Sequence, residues 1–325
     1  MNFSKIFFCL LGTLQAWLPA HAQFEPQFSH YNFNTFQFNP AYAGAKDGLE
    51  LSLLHRSQYV SLTTRAIATQ YLGINLPIYR ISSAVGITIV NDLIGYQRST
   101  SVNANYAYRK SFSAGTISIG ACLGFIQTGL QGDELVTPQG EYKNGIDHKD
   151  IFVPATLQNG IAPDFSVGIR WGNEKYHFGI SANHLYSFAS LKTLAGNSRI
   201  NYARHLSFTG GYRFVISKNF AITPAALIKT DFIKVQAELT VMMNVYRNIL
   251  TGLAFRGYEG RSVDAAILYA GFNYKGFRLL YSYDINISYL SKFNSGSHEV
   301  SLAYLLPMKK RVEKGGYYYH NARFL

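Results

Sequence analysis

Read in steps of two, residues 276–306 place Phe277, Leu279, Tyr281, Tyr283 and Ile285 on one face. Arg278, Ser282, Asp284 and Asn286 fall on the other, with Leu280 as the apolar intruder. After a Ser/Asn/Gly loop the alternation resumes, with Val300, Leu302, Tyr304 and Leu306 outward and Glu299, Ser301 and Ala303 inward. A period of two marks a strand with one apolar face. A Tyr-rich apolar face opposite a face with ionised groups fits a strand that has lipid on one side and a polar lumen on the other.

The same reading along the chain predicts strands at 49–60, 64–76, 82–90, 100–110, 115–127, 164–171, 175–185, 200–215, 219–228, 232–243, 248–257, 262–274, 276–287 and 298–306. Some alternate cleanly: Ile117, Ile119, Ala121, Leu123 and Phe125 oppose Thr116, Ser118, Gly120, Cys122 and Gly124. Segment 262–274 alternates poorly. The connections support the count. Every second one is short (77–81, 111–114, 172–174, 216–218, 244–247 and 275), whereas the longer ones (91–99, 128–163, 186–199 and 288–297) all fall on the other side. Outer-membrane barrels have short periplasmic turns and long outer loops, and an even strand number puts both termini in the periplasm. The expected fold class is therefore all-β, a transmembrane outer-membrane β-barrel of about 14 antiparallel strands.

Composition agrees with that fold. Charged residues make up 15% of the 325, well below the quarter or so of soluble domains, while aromatic residues also make up 15%. Residues 1–22 read as a secretory signal: Lys5 gives the positive start, 6–18 the apolar run, and Ala20-His21-Ala22 the small-x-small cleavage site. Residues 23–48 are rich in Phe, Tyr and Asn without a sustained period, which predicts an ordered segment packed by its aromatics, as a plug or on the periplasmic side. The barrel is expected over 49–306 and a periplasmic tail over 307–325. The long connection 128–163 carries Ile151, Phe152, Val153 and Leu157, an apolar set expected to fold over or into the barrel mouth. The net charge of +12 fits lumenal Arg, turn charges and lipid-phosphate contacts spread around such a barrel. The basic run Lys309-Lys310-Arg311 in the tail is a candidate for lipid or partner contact. No basic run with interleaved aromatics suggests nucleic acid as a partner.

A search for chemistry finds no His-Glu-x-x-His, P-loop, Gly-x-Ser-x-Gly or paired-cysteine motif, so no catalytic, cofactor or metal residue is assigned and no cofactor is expected. Asp147, His148 and Asp150 cluster in the long loop, but their spacing matches no standard metal site and reads as a solvated cluster. Cys122, on an expected lumenal face without an evident base, reads as small packing. More distinctive are the inward charges Glu50, Arg56, Arg278, Asp284 and Glu299. The first and last strands must pair on closure, so these five residues form a candidate lumenal charge network.

With those residues in view, the chain resembles the PorP/SprF family of type IX secretion system outer-membrane proteins of Bacteroidota. The resemblance is carried by Phe38-Asn39-Pro40-Ala41-Tyr42-Ala43-Gly44, His55-Arg56-Ser57-Gln58-Tyr59-Val60, Val90-Asn91-Asp92-Leu93-Ile94-Gly95, Tyr106-Ala107-Tyr108-Arg109, Pro163-Asp164-Phe165, Tyr281-Ser282-Tyr283-Asp284 and Ser297-His298-Glu299-Val300-Ser301-Leu302. Tyr59 stands where the family more usually has Trp, and the tail after residue 306 is an addition. The resemblance implies a non-enzymatic barrel of the secretion and gliding machinery. Its expected partners are a secreted cargo or adhesin, periplasmic components of the machine, and outer-membrane lipid. Candidate partner-binding positions are Phe38, Asn39, Pro40, Tyr42, Ile151, Phe152, Lys309, Lys310 and Arg311. A competing reading is a channel for small or hydrophobic solutes. An outer-membrane hydrolase would need carboxylates or His in working geometry, and the motif search gives it no support.

Overall fold

Alternation that hides every second side chain is satisfied when a sheet closes on itself, because closure leaves no edge to solvate inside lipid. The computed structural model describes residues 25–308 except 63, 64, 66, 144, 194, 195, 247 and 259–261. The expected signal at 1–22 and the run Lys309-Lys310-Arg311 lie outside the described residues.

Seventeen strands are formed among the described residues: β1 (Gly48–Gln58), β2 (Ile67–Ile78), β3 (Ser83–Ile94), β4 (Gln97–Phe112), β5 (Gly115–Gln131), β6 (Leu157–Gly172), β7 (Tyr176–Asn183), β8 (Phe188–Thr193), β9 (Gly196–Asn201), β10 (His205–Tyr212), β11 (Phe214–Ser217), β12 (Phe220–Thr230), β13 (Val235–Val245), β14 (Ile249–Tyr258), β15 (Ser262–Tyr274), β16 (Phe277–Asn286) and β17 (Ser297–Pro307). β8 and β9 pair with each other as a separate hairpin, and β11 continues the line of β10 beyond Arg213. The remaining neighbours are all sequential and antiparallel, and β1 closes on β17, so fourteen strands form the wall.

The wall is apolar outside. Leu279, Tyr281 and Ile285 on β16 and Val300 and Leu302 on β17 are exposed outward, while Ser282, Asp284 and Glu299 are buried inward. At the short-turn end Tyr108, Phe112, Phe178, Phe214, Tyr274 and Phe277 stand exposed, as in the aromatic girdle of a membrane interface. The short connections are where the sequence places them. Lys275-Gly276, for example, has φ of 46° and 88°, and a two-residue turn with both φ positive matches the right-handed twist of its strands.

The outer connections depart from expectation in three places. The expected loop 91–99 is nearly all strand, since β3 and β4 pair up to Ile94 and Gln97 and leave only Gly95 and Tyr96 to turn. These strand ends are polar on both faces (Asn91, Asp92, Ser99, Thr100), so alternation is lost although the backbone pairing continues. The expected strand 200–215 is split, with Ile200 in the outer hairpin and the wall resuming at His205. In the longest loop Ile151, Phe152 and Leu157 are exposed and do not fold into the mouth. His148 there is not solvated: it is 3% exposed, and its ring meets the Gly132 carbonyl at 2.9 Å and the Tyr142 hydroxyl at 3.0 Å.

Residues 25–47 contact the inward-facing side chains of the wall. Glu25 lies beside His184 and His205, which flank an outer connection, whereas Lys46 lies at the short-turn end where β1 begins. Residues 25–47 thus run the length of the barrel from the outer end downward.

Candidate functional site

The lumen is organised in layers around residues 25–47. In the outer half, Arg56 on β1 donates from Nη2 to Asp284 at 2.7 Å and from Nη1 to Glu299 at 3.0 Å. Arg256 on β14 donates to Glu238 at 2.7 Å and to Asp284 at 2.9 Å. All five side chains are almost fully buried. Burying them is tolerable only because each ion is paired and most of its other hydrogen-bonding positions are filled, the Arg56 Nε being the exception. The N-terminal segment supplies that filling. The backbone amides of Ser29 and His30 donate to the two oxygens of Glu299 at 2.8 and 2.9 Å. The Ser29 hydroxyl donates to Asp284 at 2.9 Å and accepts from Arg56 and Arg256 at 2.9 and 2.7 Å. The Tyr269 hydroxyl donates to the Ser29 carbonyl at 2.9 Å.

The His30 Nδ1 is 2.8 Å from the Ser301 hydroxyl and 3.4 Å from Glu299.

Next to this network lies an apolar layer of Met242, Leu250, Ala254, Ile267, Tyr269 and Leu280, against which Phe33 packs. Leu280, the residue that breaks the alternation of β16, faces inward here for that reason. At the short-turn end Lys46 pairs with Glu50, and Arg278 is 3.9 Å from Glu50 and donates to the Phe33 carbonyl at 3.3 Å.

The opposite wall receives the turn at residues 39–44. Asn39 accepts from the Ala41 amide at 2.9 Å and donates to the Ile169 and Ile180 carbonyls, each at 3.1 Å. Tyr42 meets the Thr209 hydroxyl at 3.0 Å, and the Gly44 amide donates to Asn75 at 2.9 Å. Gly120 permits this approach: a Cβ there would sit 2.3 Å from the Ala41 amide nitrogen. Phe28, Tyr31, Phe36 and Phe38 are buried as well, each worth about 1.5–3 kcal/mol in apolar transfer.

The structure thus divides the five sequence-derived charges. Arg56, Asp284 and Glu299 meet in the outer network, while Glu50 and Arg278 meet in a separate pair at the other end. Sequence reasoning missed Glu238, Arg256 and Ser29. Glu238 and Arg256 each stand as a lone ionised residue in an alternating strand, the same signal that singled out Asp284. Ser29 carries no such signal. Phe38, Asn39, Pro40 and Tyr42 are buried against the wall, so a partner meets them only if the segment leaves the lumen. Ile151 and Phe152 are exposed.

Above the network is a cavity of about 480 Å³, open toward the outer loops and lined by Glu25, Gln27, Phe38, Tyr59, His184 and His205 among others. Burial alone would keep His184 neutral, but the Asp164 carboxylate at 2.9 Å and the Glu25 carboxylate at 3.4 Å push it up to about 10. Burial likewise opposes ionisation of Glu25, yet the neighbouring His184, His205 and Lys229 bring it down to about 2.

Residues 20–304 match the family model described as "Type IX secretion system membrane protein PorP/SprF". No curated protein matches the chain. Among solved structures it is similar to the P. putida toluene transporter TodX, at 8% identity and a TM-score of 0.50, covering 83% of this chain and 93% of that one. The CymD monoaromatic hydrocarbon channel is similar at 14% identity and a TM-score of 0.49, covering 85% and 93%. A Pseudomonas aeruginosa FadL homologue is similar at 12% identity and a TM-score of 0.46, covering 88% and 96%. At 8% identity the likeness to the toluene transporter is one of fold.

Proposed function

Since the chain belongs to the PorP/SprF family of type IX secretion system membrane proteins, we propose that it is an outer-membrane docking barrel. It binds a cognate secreted protein or adhesin through its outer loops and couples that cargo to periplasmic components of the machine. The observation that carries this reading is the occupied lumen. Residues 25–47 run through it and are held by two buried arginines, two buried carboxylates and the aromatic packing of Phe28, Tyr31, Phe36 and Phe38. A barrel filled in this way offers surfaces at its two ends. At the outer end these are the loop 132–156, with Ile151 and Phe152 exposed, and the connection 184–204 with its β8–β9 hairpin.

The test is affinity capture of the tagged protein from its native outer membrane, with mass spectrometry of what remains bound, together with surface display of the captured cargo in a deletion strain. A large surface protein recovered with periplasmic secretion components, and lost from the surface on deletion, supports the docking role. A barrel recovered alone, with normal surface display, overturns it.

A further inference from the structure

We propose that Glu25, His184 and His205 form a zinc-binding site at the outer end of the lumen, with Asp164 as the residue that orients His184. One ligand atom from each of the three lies within 4.8 Å of the others. They come from three separate places: the N-terminal segment, the residue after β7, and the first residue of β10. Two imidazoles and a carboxylate are a ligand set for a tetrahedral zinc with one position left open.

The distance between His184 and Glu25 fits coordination. The His184 Nε2 is 3.4 Å from a Glu25 oxygen, long for a charge-assisted hydrogen bond of about 2.7–2.9 Å. With bonds of about 2.0–2.1 Å, a tetrahedral zinc sets neighbouring ligand atoms roughly 3.3–3.4 Å apart. The other ring nitrogen of His184, Nδ1, is 2.9 Å from Asp164. A histidine ligand commonly donates its second N–H to a carboxylate in this way, which fixes the tautomer and leaves Nε2 to face the metal.

The backbone agrees. His184 has φ of 55°, in the left-handed region that a non-glycine residue occupies at some cost, and this conformation turns its ring between Glu25 and Asp164. His184 is also stacked edge-on with His205, the ring centroids lying 6.1 Å apart at 80°. Glu25 and Asp164 bring two carboxylates to His184, at 3.4 and 2.9 Å. Zinc held here would tie the beginning of the segment to the wall at the level of the cavity, above the arginine network.

The test uses the untagged full chain in detergent, stripped with EDTA and then equilibrated with zinc sulfate alone. The expected result is one tightly held zinc per chain, counted by elemental analysis after desalting, and a visible absorption band when cobalt replaces zinc. Glu25→Gln should weaken zinc binding at least tenfold and abolish the cobalt band, and Asp164→Asn should weaken it roughly 10–100-fold. His177→Ala, which removes a histidine outside the cluster, should leave binding unchanged. Glu25→Gln alters the segment and no wall strand, so heat-modifiable gel mobility checks that the barrel has folded. Wild-type protein that retains no zinc, or Glu25→Gln protein that retains as much as wild type, overturns the proposal. The outcome is independent of cargo docking, because the readout needs no partner.

Discussion

Arg56 on β1 and Asp284 on β16 are 228 residues apart in sequence and 2.7 Å apart in space, both about 1% exposed. Barrel closure produces the contact. β1 pairs with β17 so that Arg56 stands opposite Glu299, and β17 pairs with β16 so that Glu299 stands opposite Ser282, one inward position from Asp284.

Removing one member of this network strands the others. Arg56→Ala leaves Asp284 and Glu299 buried with less compensation and should cost about 3–5 kcal/mol. The expected result is a lower melting temperature in detergent and earlier loss of the heat-modifiable band. Lys149→Ala, which breaks an exposed pair with Glu141, should change stability by less than about 1 kcal/mol. Equal effects from the two variants would show that the buried network does not hold the barrel.

Gly120 should be intolerant of any side chain, because its Cβ would meet the backbone of Pro40 and Ala41 within 2.6 Å. Gly120→Val places its bulk inside the lumen, where it displaces the turn at 39–44 and costs roughly 1–3 kcal/mol of segment docking. Limited proteolysis of folded barrels should then cut within residues 25–45 at least several-fold faster than in wild type. Unchanged cleavage would mean that the wall yields instead.

Deleting residues 25–45 removes the filling of the lumen but none of the wall strands. In planar bilayers the shortened protein should conduct while the full chain stays closed. Cys122, an inward residue of β5 that is 6% exposed, should become reactive to a maleimide in the same variant. A full chain that conducts as well as the deletion would favour the solute-channel reading.

How much of this was legible beforehand depends on where each residue's environment comes from. Alternation marks fourteen wall strands because lipid and lumen act on successive side chains of a single strand, a local effect. The same locality explains the misplaced outer boundaries. Toward the outer end Asn91 and Asp92 of β3 and Ser99 and Thr100 of β4 put polar side chains on both faces, so the alternation stops there although the pairing runs on to Ile94 and Gln97. The inward charges Arg56, Asp284 and Glu299 were visible as ionised residues in otherwise uncharged positions, and their meeting followed from closure.

The sequence by itself therefore determined the barrel, its approximate strand number, the side of the long loops and the existence of a charged lumen. Tertiary structure alone decided that these charges separate into two groups, that Glu238, Arg256 and Ser29 complete one of them, and that residues 25–47 fill the lumen from the outer end. It also decided that Glu25, His184, His205 and Asp164 share a corner. The physical reason is that a strand's two faces are set by its nearest neighbours in sequence. Which lumenal side chains touch across a closed barrel depends on register and shear accumulated over every strand between them, together with the path of a segment that has no period of its own.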